Sequence, residues 1–297
     1  MKWHALIVLG VMFLLLVGCN NDSTEDKSKQ KEENTTANEK IESDDYKNDS
    51  ESIPVEEETD VDSDEAIEDT EDVINEESKQ QYQMTKNSDF IPLNETTNKN
   101  VVLLTIDDAP DKYAVEMAEI LKKLDADAIF FVNGHFLESE EGKANLRKIH
   151  EMGFHIGNHT YNHQQLSVVD EATQQKEIVK LNDLIEEIIG EKPVFFRAPH
   201  GDNTDFAKEL VKSEGMLLMN WTYGYDYFEP YMNSEKLTEA MISGEAPEID
   251  IDYSLLKPGA NLLMHDREWT KDALSDIVSG LREEGYEILD PSTIQIP

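Results

Sequence analysis

The sequence predicts an α/β fold in which a parallel sheet is covered by helices. Short runs such as VVLLTI (101–106) and AIFFV (128–132) are apolar throughout, as strands buried on both faces require. These runs alternate with stretches of helical period along the last 200 or so residues. That alternation leaves two architectures, a closed barrel or an open doubly wound sheet. A third observation concerns the polar residues. Asp107 and Asp108, His159, Arg197, Trp221 and His265 each come directly after a predicted strand, at the ends where parallel α/β folds build their sites.

Taken in order, strand 101–106 leads to a helix near 114–124, with Val115, Ala118 and Leu121 at helical spacing. Strand 128–132 is followed by the helical KANLRKIHEM and by FHIG (154–157). The longest helix is predicted from about Asp170 to Ile189, with Ile178, Leu181, Ile185 and Ile188 on one face, and Gly190 and Pro193 end it. VFF (194–196), a helix to Glu214, MLLMN (216–220), a helix capped by Ser234 and NLLM (261–264) continue the pattern. A helix over 272–284 and a strand YEIL (286–289) close it.

The N-terminal third is of another kind. Residues 1–18 have the charged start and short apolar middle of a secretory signal, too short to span a bilayer. The segment ends in LVGC, which resembles a bacterial lipobox, and Cys19 is the only cysteine in the chain. The resemblance implies that Cys19 becomes the lipidated N-terminus, holding the protein at the extracytoplasmic face of the cell membrane. Residues 19–90 carry 25 acidic side chains against 7 basic ones, with Tyr46, Tyr82 and Phe90 as the only aromatics. This composition predicts a disordered acidic linker ahead of a single domain over 91–297. The formal net charge of −38 makes nucleic acid an improbable partner.

His159 and His163 stand four residues apart in a chain with eight histidines. On a helical turn that spacing would present both imidazoles on one face, as a metal site requires. Asp108, from another strand end, would complete a His, His, carboxylate set with an open fourth position, the arrangement of catalytic zinc. Asp107, beside it, would then face the water bound on the metal as a general base.

Five motifs, in order, resemble those of the NodB-homology polysaccharide deacetylases of carbohydrate esterase family 4. They are TIDDAP (105–110), HTYNH (159–163), RAPHG (197–201), a weak fourth around NWTYGYDY (220–227), and LMH (263–265). The resemblance covers residues 101–289 and implies a distorted (β/α)7 barrel. It further implies that Asp108, His159 and His163 hold one divalent metal, zinc first, with cobalt, manganese or nickel also accommodated. Asp107 would be the general base, Arg197 its charge-assisted partner and His265 the general acid. A backbone N–H of the 197–201 turn, at His200, would face the oxyanion, and Trp221 would wall the acetyl pocket.

The implied reaction is hydrolysis of N-acetyl groups on cell-wall or surface polysaccharide, peptidoglycan N-acetylhexosamine first, by a monomer. The alternatives are a non-catalytic glycan-binding lipoprotein and a deacetylase of another glycan such as xylan or an exopolysaccharide. Three departures bear on this reading. Ala109 stands where the family has glycine, His200 replaces a common aromatic, and the fourth motif keeps a single carboxylate, Asp226.

Overall fold

The computed structural model describes residues 80–297. The signal segment, Cys19 and most of the acidic linker lie outside them. The central sheet has seven parallel strands: β3 (Val101–Ala109), β4 (Ile129–Val132), β5 (His155–Asn158), β6 (Phe195–Phe196), β7 (Leu217–Leu218), β8 (Ala260–His265) and β9 (Glu287–Ile288). From β3 to β7 each strand adds beside its predecessor. β8 then returns to pair with β3, and β9 pairs with the start of β3. A cyclic order of this kind belongs to a barrel, whereas a doubly wound sheet reverses its order partway.

The barrel is curled but not fully laced. β7 and β8 do not pair with each other. The chain beyond β7 instead runs back against β8 at Tyr223, which bridges Leu262. Thr222 N donates to Asn261 O at 2.7 Å, and Leu263 N donates to Tyr223 O at 2.9 Å. At this seam a Cβ on Gly224 would lie 2.3 Å from the Leu263 carbonyl oxygen, so only glycine permits the approach.

Alternation along β3 sorts the two sides of the sheet. Val102, Leu104 and Ile106 pack outward in the large core beneath the helices, while Val101 and Leu103 join Ile129, Phe131 and Phe195 in a second cluster inside the barrel. Thr105 and Asp107, continuing the inward register, stand above that apolar floor.

The helices are α1 (Ala114–Lys123), α2 (Glu140–Glu151), α3 (Glu171–Ile189), α4 (Asp205–Ser213), α5 (Ser234–Ser243) and α6 (Glu268–Glu283). Side chains cap four of them at the N-terminus: Ser139, Asp170, Thr204 and Asn233 each accept a backbone N–H of the first turn. The cap of α5 is therefore Asn233, and Ser234 is its first helical residue. α6 begins four residues before the expected start, and β3 runs on through Asp107 and Asp108 to Ala109.

The linker expected to continue to residue 90 ends earlier. β1 (Tyr82–Met84) and β2 (Phe90–Pro92) form an antiparallel hairpin, with Tyr82 and Phe90 buried in the interior cluster beside Leu289 and Ile294. Phe90 N donates to Gly259 O at 2.8 Å, and Tyr82 bridges Ile294. Tyr82 and Phe90 supply enough apolar surface to order a segment whose only charges, Lys86 and Asp89, cancel. Among the described residues no helix is long and apolar enough to cross a membrane.

Candidate active site

The polar layer above the barrel floor is organised by Arg197. Its side chain is fully buried, and Nη1 donates to Asp107 Oδ1 at 2.7 Å and to Thr105 Oγ1 at 2.8 Å. Nη2 donates to the Asn220 carbonyl at 3.0 Å. The guanidinium lies 4.3 Å above the Phe131 ring. A buried arginine without an anion would be prohibitively costly, so the Asp107 pair is what makes its place tenable, and burial still pulls its pKa below the ordinary value.

Asp108, His159 and His163 present one ligand atom each within 4.8 Å of one another. His163 Nε2 is 3.5 Å and His159 Nε2 is 3.9 Å from Asp108 Oδ1. With bonds of ~2.0–2.1 Å to a tetrahedral ion the donor atoms stand roughly 3.3 Å apart, so the set fits a divalent metal after small closure. The tautomer fits as well. His159 Nδ1 is 2.7 Å from the Arg197 carbonyl, which accepts its proton and leaves the Nε2 lone pair toward Asp108. Burial pushes the His159 pKa down, and burial also brings His163 down to about 4, so both are neutral ligands at pH 7.

The two histidines are not on a helical turn. Residues 159–163 form an irregular loop with Thr160 and His163 at positive φ. Buried polar side chains hold it there. Asn133 Nδ2 donates to the carbonyls of His159 and Thr160, and Asn158 Oδ1 accepts the Thr160 amide. From α3, Glu177 takes both the backbone and the side-chain N–H of Asn162, each at 2.6 Å.

His265 ends β8 directly across from Asp107 in the β3–β8 register. Its Nδ1 donates to Asp226 Oδ1 at 2.8 Å, and its backbone N–H donates to Asp226 Oδ2 at 2.6 Å. Thr270 Oγ1 donates to Oδ2 as well. Burial alone would lower the His265 pKa, but the Asp226 charge and hydrogen bond, with Asp107 and Asp108 behind them, raise it to about 9. The imidazolium is the resting form at pH 7. Burial likewise works against the Asp108 carboxylate and is outweighed by its cationic neighbours, His265 first, so its pKa is lowered. With His159 and His163 neutral, the lasting partners are His265 and Arg267.

Asp107, Asp108, His159, His163, Asp226 and His265 open into one cavity of about 520 Å³. The polysaccharide deacetylase family model matches residues 94–219, which span β3 to β7. A peptidoglycan-N-acetylglucosamine deacetylase of Bacillus cereus is 27% identical over 202 residues, 67% of this chain and 70% of its own length. The family model over residues 94–219 and such relatives together support a likeness of this part of the chain to the polysaccharide deacetylases.

A peptidoglycan-N-acetylmuramic acid deacetylase of Bacillus subtilis, PdaA, is a further relative. It is 25% identical over 194 residues, 64% of this chain and 69% of its own. In structure, a pseudoenzyme of carbohydrate esterase family 4 from Bacillus anthracis aligns with a TM-score of 0.56 and 27% identity, covering 64% of this chain and 63% of that one. The curled parallel α/β barrel is thus the deacetylase fold.

Against the deacetylase motifs, the structure places each expected residue. Asp107, Asp108, His159, His163, His200, Trp221 and His265 line the cavity, and Arg197 lies beneath it. His200 is exposed at the turn, at φ 59°, with its ring 5.1 Å from that of His163. Alanine at 109 is accommodated because the left-handed residue is Asp108, at φ 61°, not its neighbour. Sequence reasoning left the role of Asp226 open, and the structure gives its carboxylate three donors. It missed Arg267, Tyr227, Met232 and Trp269, all on the cavity wall. Arg267 had a legible signal, since it follows β8 by two residues. The others sit in loops of no regular pattern.

Proposed function

We propose that this chain is a metal-dependent N-deacetylase of cell-wall polysaccharide, acting first on peptidoglycan N-acetylhexosamine and releasing acetate. The observation that carries the reading is the Asp107–His265 pair. These two residues face each other across paired strands in opposite charge states, one held by Arg197 and the other by Asp226. Water attack on an amide needs one group that takes a proton from the nucleophile and another that gives one to the leaving nitrogen. Asp107, an acceptor fixed on Arg197, suits the first task. His265, protonated below about pH 9, suits the second.

Asp108, His159 and His163 would hold the metal, zinc first, with cobalt, manganese or nickel compatible with the same donors. When bound, the ion supplies a Lewis acid for the acetyl carbonyl and a water of lowered pKa. Trp221 and Leu263 bound the space for a small acyl group, and the 197–201 turn, through the His200 amide, is the proposed donor to the developing oxyanion. Lipidation at Cys19, with the acidic segment as tether, would keep a monomer of the enzyme at the outer face of the membrane, within reach of the wall.

The test is acetate release from peptidoglycan, chitin oligomers and acetylated xylan by the full chain, after chelation and after zinc return. Release from peptidoglycan restored by zinc is expected. The matched pseudoenzyme keeps a second reading in view, a glycan-binding protein without turnover. Retention on peptidoglycan with no acetate under any metal would favour that reading and overturn the first.

A further inference from the structure

Arg267 belongs to none of the roles given so far, yet it touches the carboxylate proposed as a metal ligand. Its Nη2 donates to Asp108 Oδ2 at 2.6 Å, the oxygen opposite the one that faces the histidines. Its Nη1 donates to the Asp266 backbone carbonyl at 2.8 Å, which fixes the plane of the guanidinium. Asp266 is itself anchored. Its buried carboxylate accepts the amides of Asp111, Lys112 and Tyr113 at 2.7, 3.1 and 2.6 Å, and its own N–H donates to the Asp107 carbonyl at 3.0 Å. The dipeptide after His265 therefore grips the end of β3 and the turn beyond it, on both sides of Asp108.

We propose that Arg267 is a positioning residue for Asp108: it engages Oδ2, so that Oδ1 alone is presented to a divalent cation shared with His159 and His163. The assignment rests on the ligand set of the proposed function. Its chemistry is that of an outer partner to a ligating carboxylate, whose loss typically weakens metal binding by ~10- to 100-fold. A carboxylate freed of such a partner rotates, and at positive φ Asp108 has little backbone latitude to compensate.

The sign of the effect separates this from simple electrostatics. Arg267 is a cation close to a cation site, so charge alone makes its removal tighten metal binding. Positioning makes its removal loosen binding.

The experiment is a competitive chelator titration of Zn²⁺ on the full chain stripped of metal, comparing wild type, Arg267→Gln, Arg267→Lys and Asp108→Asn, with thermal unfolding of each metal-free protein. Arg267→Gln should bind Zn²⁺ about 10-fold or more weakly at an unchanged unfolding temperature. Arg267→Lys keeps the charge but cannot span Asp108 and Asp266 with two parallel donors, so its affinity should fall between. Equal or tighter binding by Arg267→Gln overturns the proposal. Should Arg267→Gln unfold early, wild-type affinity in Arg267→Lys overturns it instead. A wild type that binds no Zn²⁺, or an Asp108→Asn that binds as wild type does, defeats the ligand reading itself. Loss confined to Asp108→Asn defeats only the role of Arg267.

Discussion

Asp107 and Asp108 are adjacent and chemically alike, but the structure points them at different neighbours. Asp107 is bound to a buried arginine, and Asp108 faces two neutral imidazoles. Asp107→Asn should keep zinc and lose turnover by about 10²- to 10⁴-fold, whereas Asp108→Asn should lose both. Elemental analysis beside acetate release checks this, and loss of zinc from Asp107→Asn would reverse the roles. A second expectation concerns pH. His265 donates only while protonated, and Asp226 is the main reason its pKa stands near 9. In Asp226→Asn the alkaline limb of kcat should therefore move from near pH 9 to lower pH, with only Asp107 and Asp108 left to offset burial. An unmoved limb would show that another group sets it. Most of this arrangement was legible in the sequence, because Asp107, Asp108, His159, Arg197 and His265 are spaced by whole βα units and each marks a strand end. Asp226 and Arg267 were less so. Their meaning lies in which loop folds back on which, and that is a tertiary fact.

Among the elements, the β1–β2 hairpin departs most from expectation. Composition assigned it to an acidic linker, but a charge average does not register two aromatics placed to fill the barrel interior. The hairpin also reaches the site: Ser88 Oγ accepts the Asn220 amide at 3.1 Å, and Asn220 in turn accepts Arg197 through its carbonyl. Phe90→Ala should destabilise the fold by about 3 kcal/mol, as expected for a fully buried phenylalanine. A chain starting at residue 93 should lose more than one starting at residue 80. Urea unfolding of the three proteins measures it, and a chain from residue 93 as stable as that from residue 80 would return the hairpin to the linker. The larger elements were legible because their periodicity is long. The loop at 159–163 was not, since its shape is dictated by Asn133, Asn158 and Glu177 from three other segments.

At the scale of the molecule, opposed histidines shape stability without metal. His265, raised to about 9, contributes stability that is fully present below its unfolded value near 6.5 and is lost as pH rises through 9. His163, lowered to about 4, contributes stability that is present above 6.5 and lost as pH falls through 4. For these two groups the metal-free protein should be most resistant to urea near pH 6.5, and a midpoint still climbing at pH 9 would contradict the assignment. Alternating strands and helices announced a parallel sheet under helices and the family resemblance implied the barrel, but neither announced its incomplete lacing between β7 and β8. That seam is closed partly by the loop carrying Asp226, whose carboxylate holds both the backbone and the ring of His265. Proton supply and wall integrity thus hang on one side chain. A lineage drifting from catalysis toward mere glycan retention could discard His163 and keep its shell, but discarding Asp226 would loosen the shell too. Among descendants that have fallen silent, that aspartate should outlast the partly exposed imidazole.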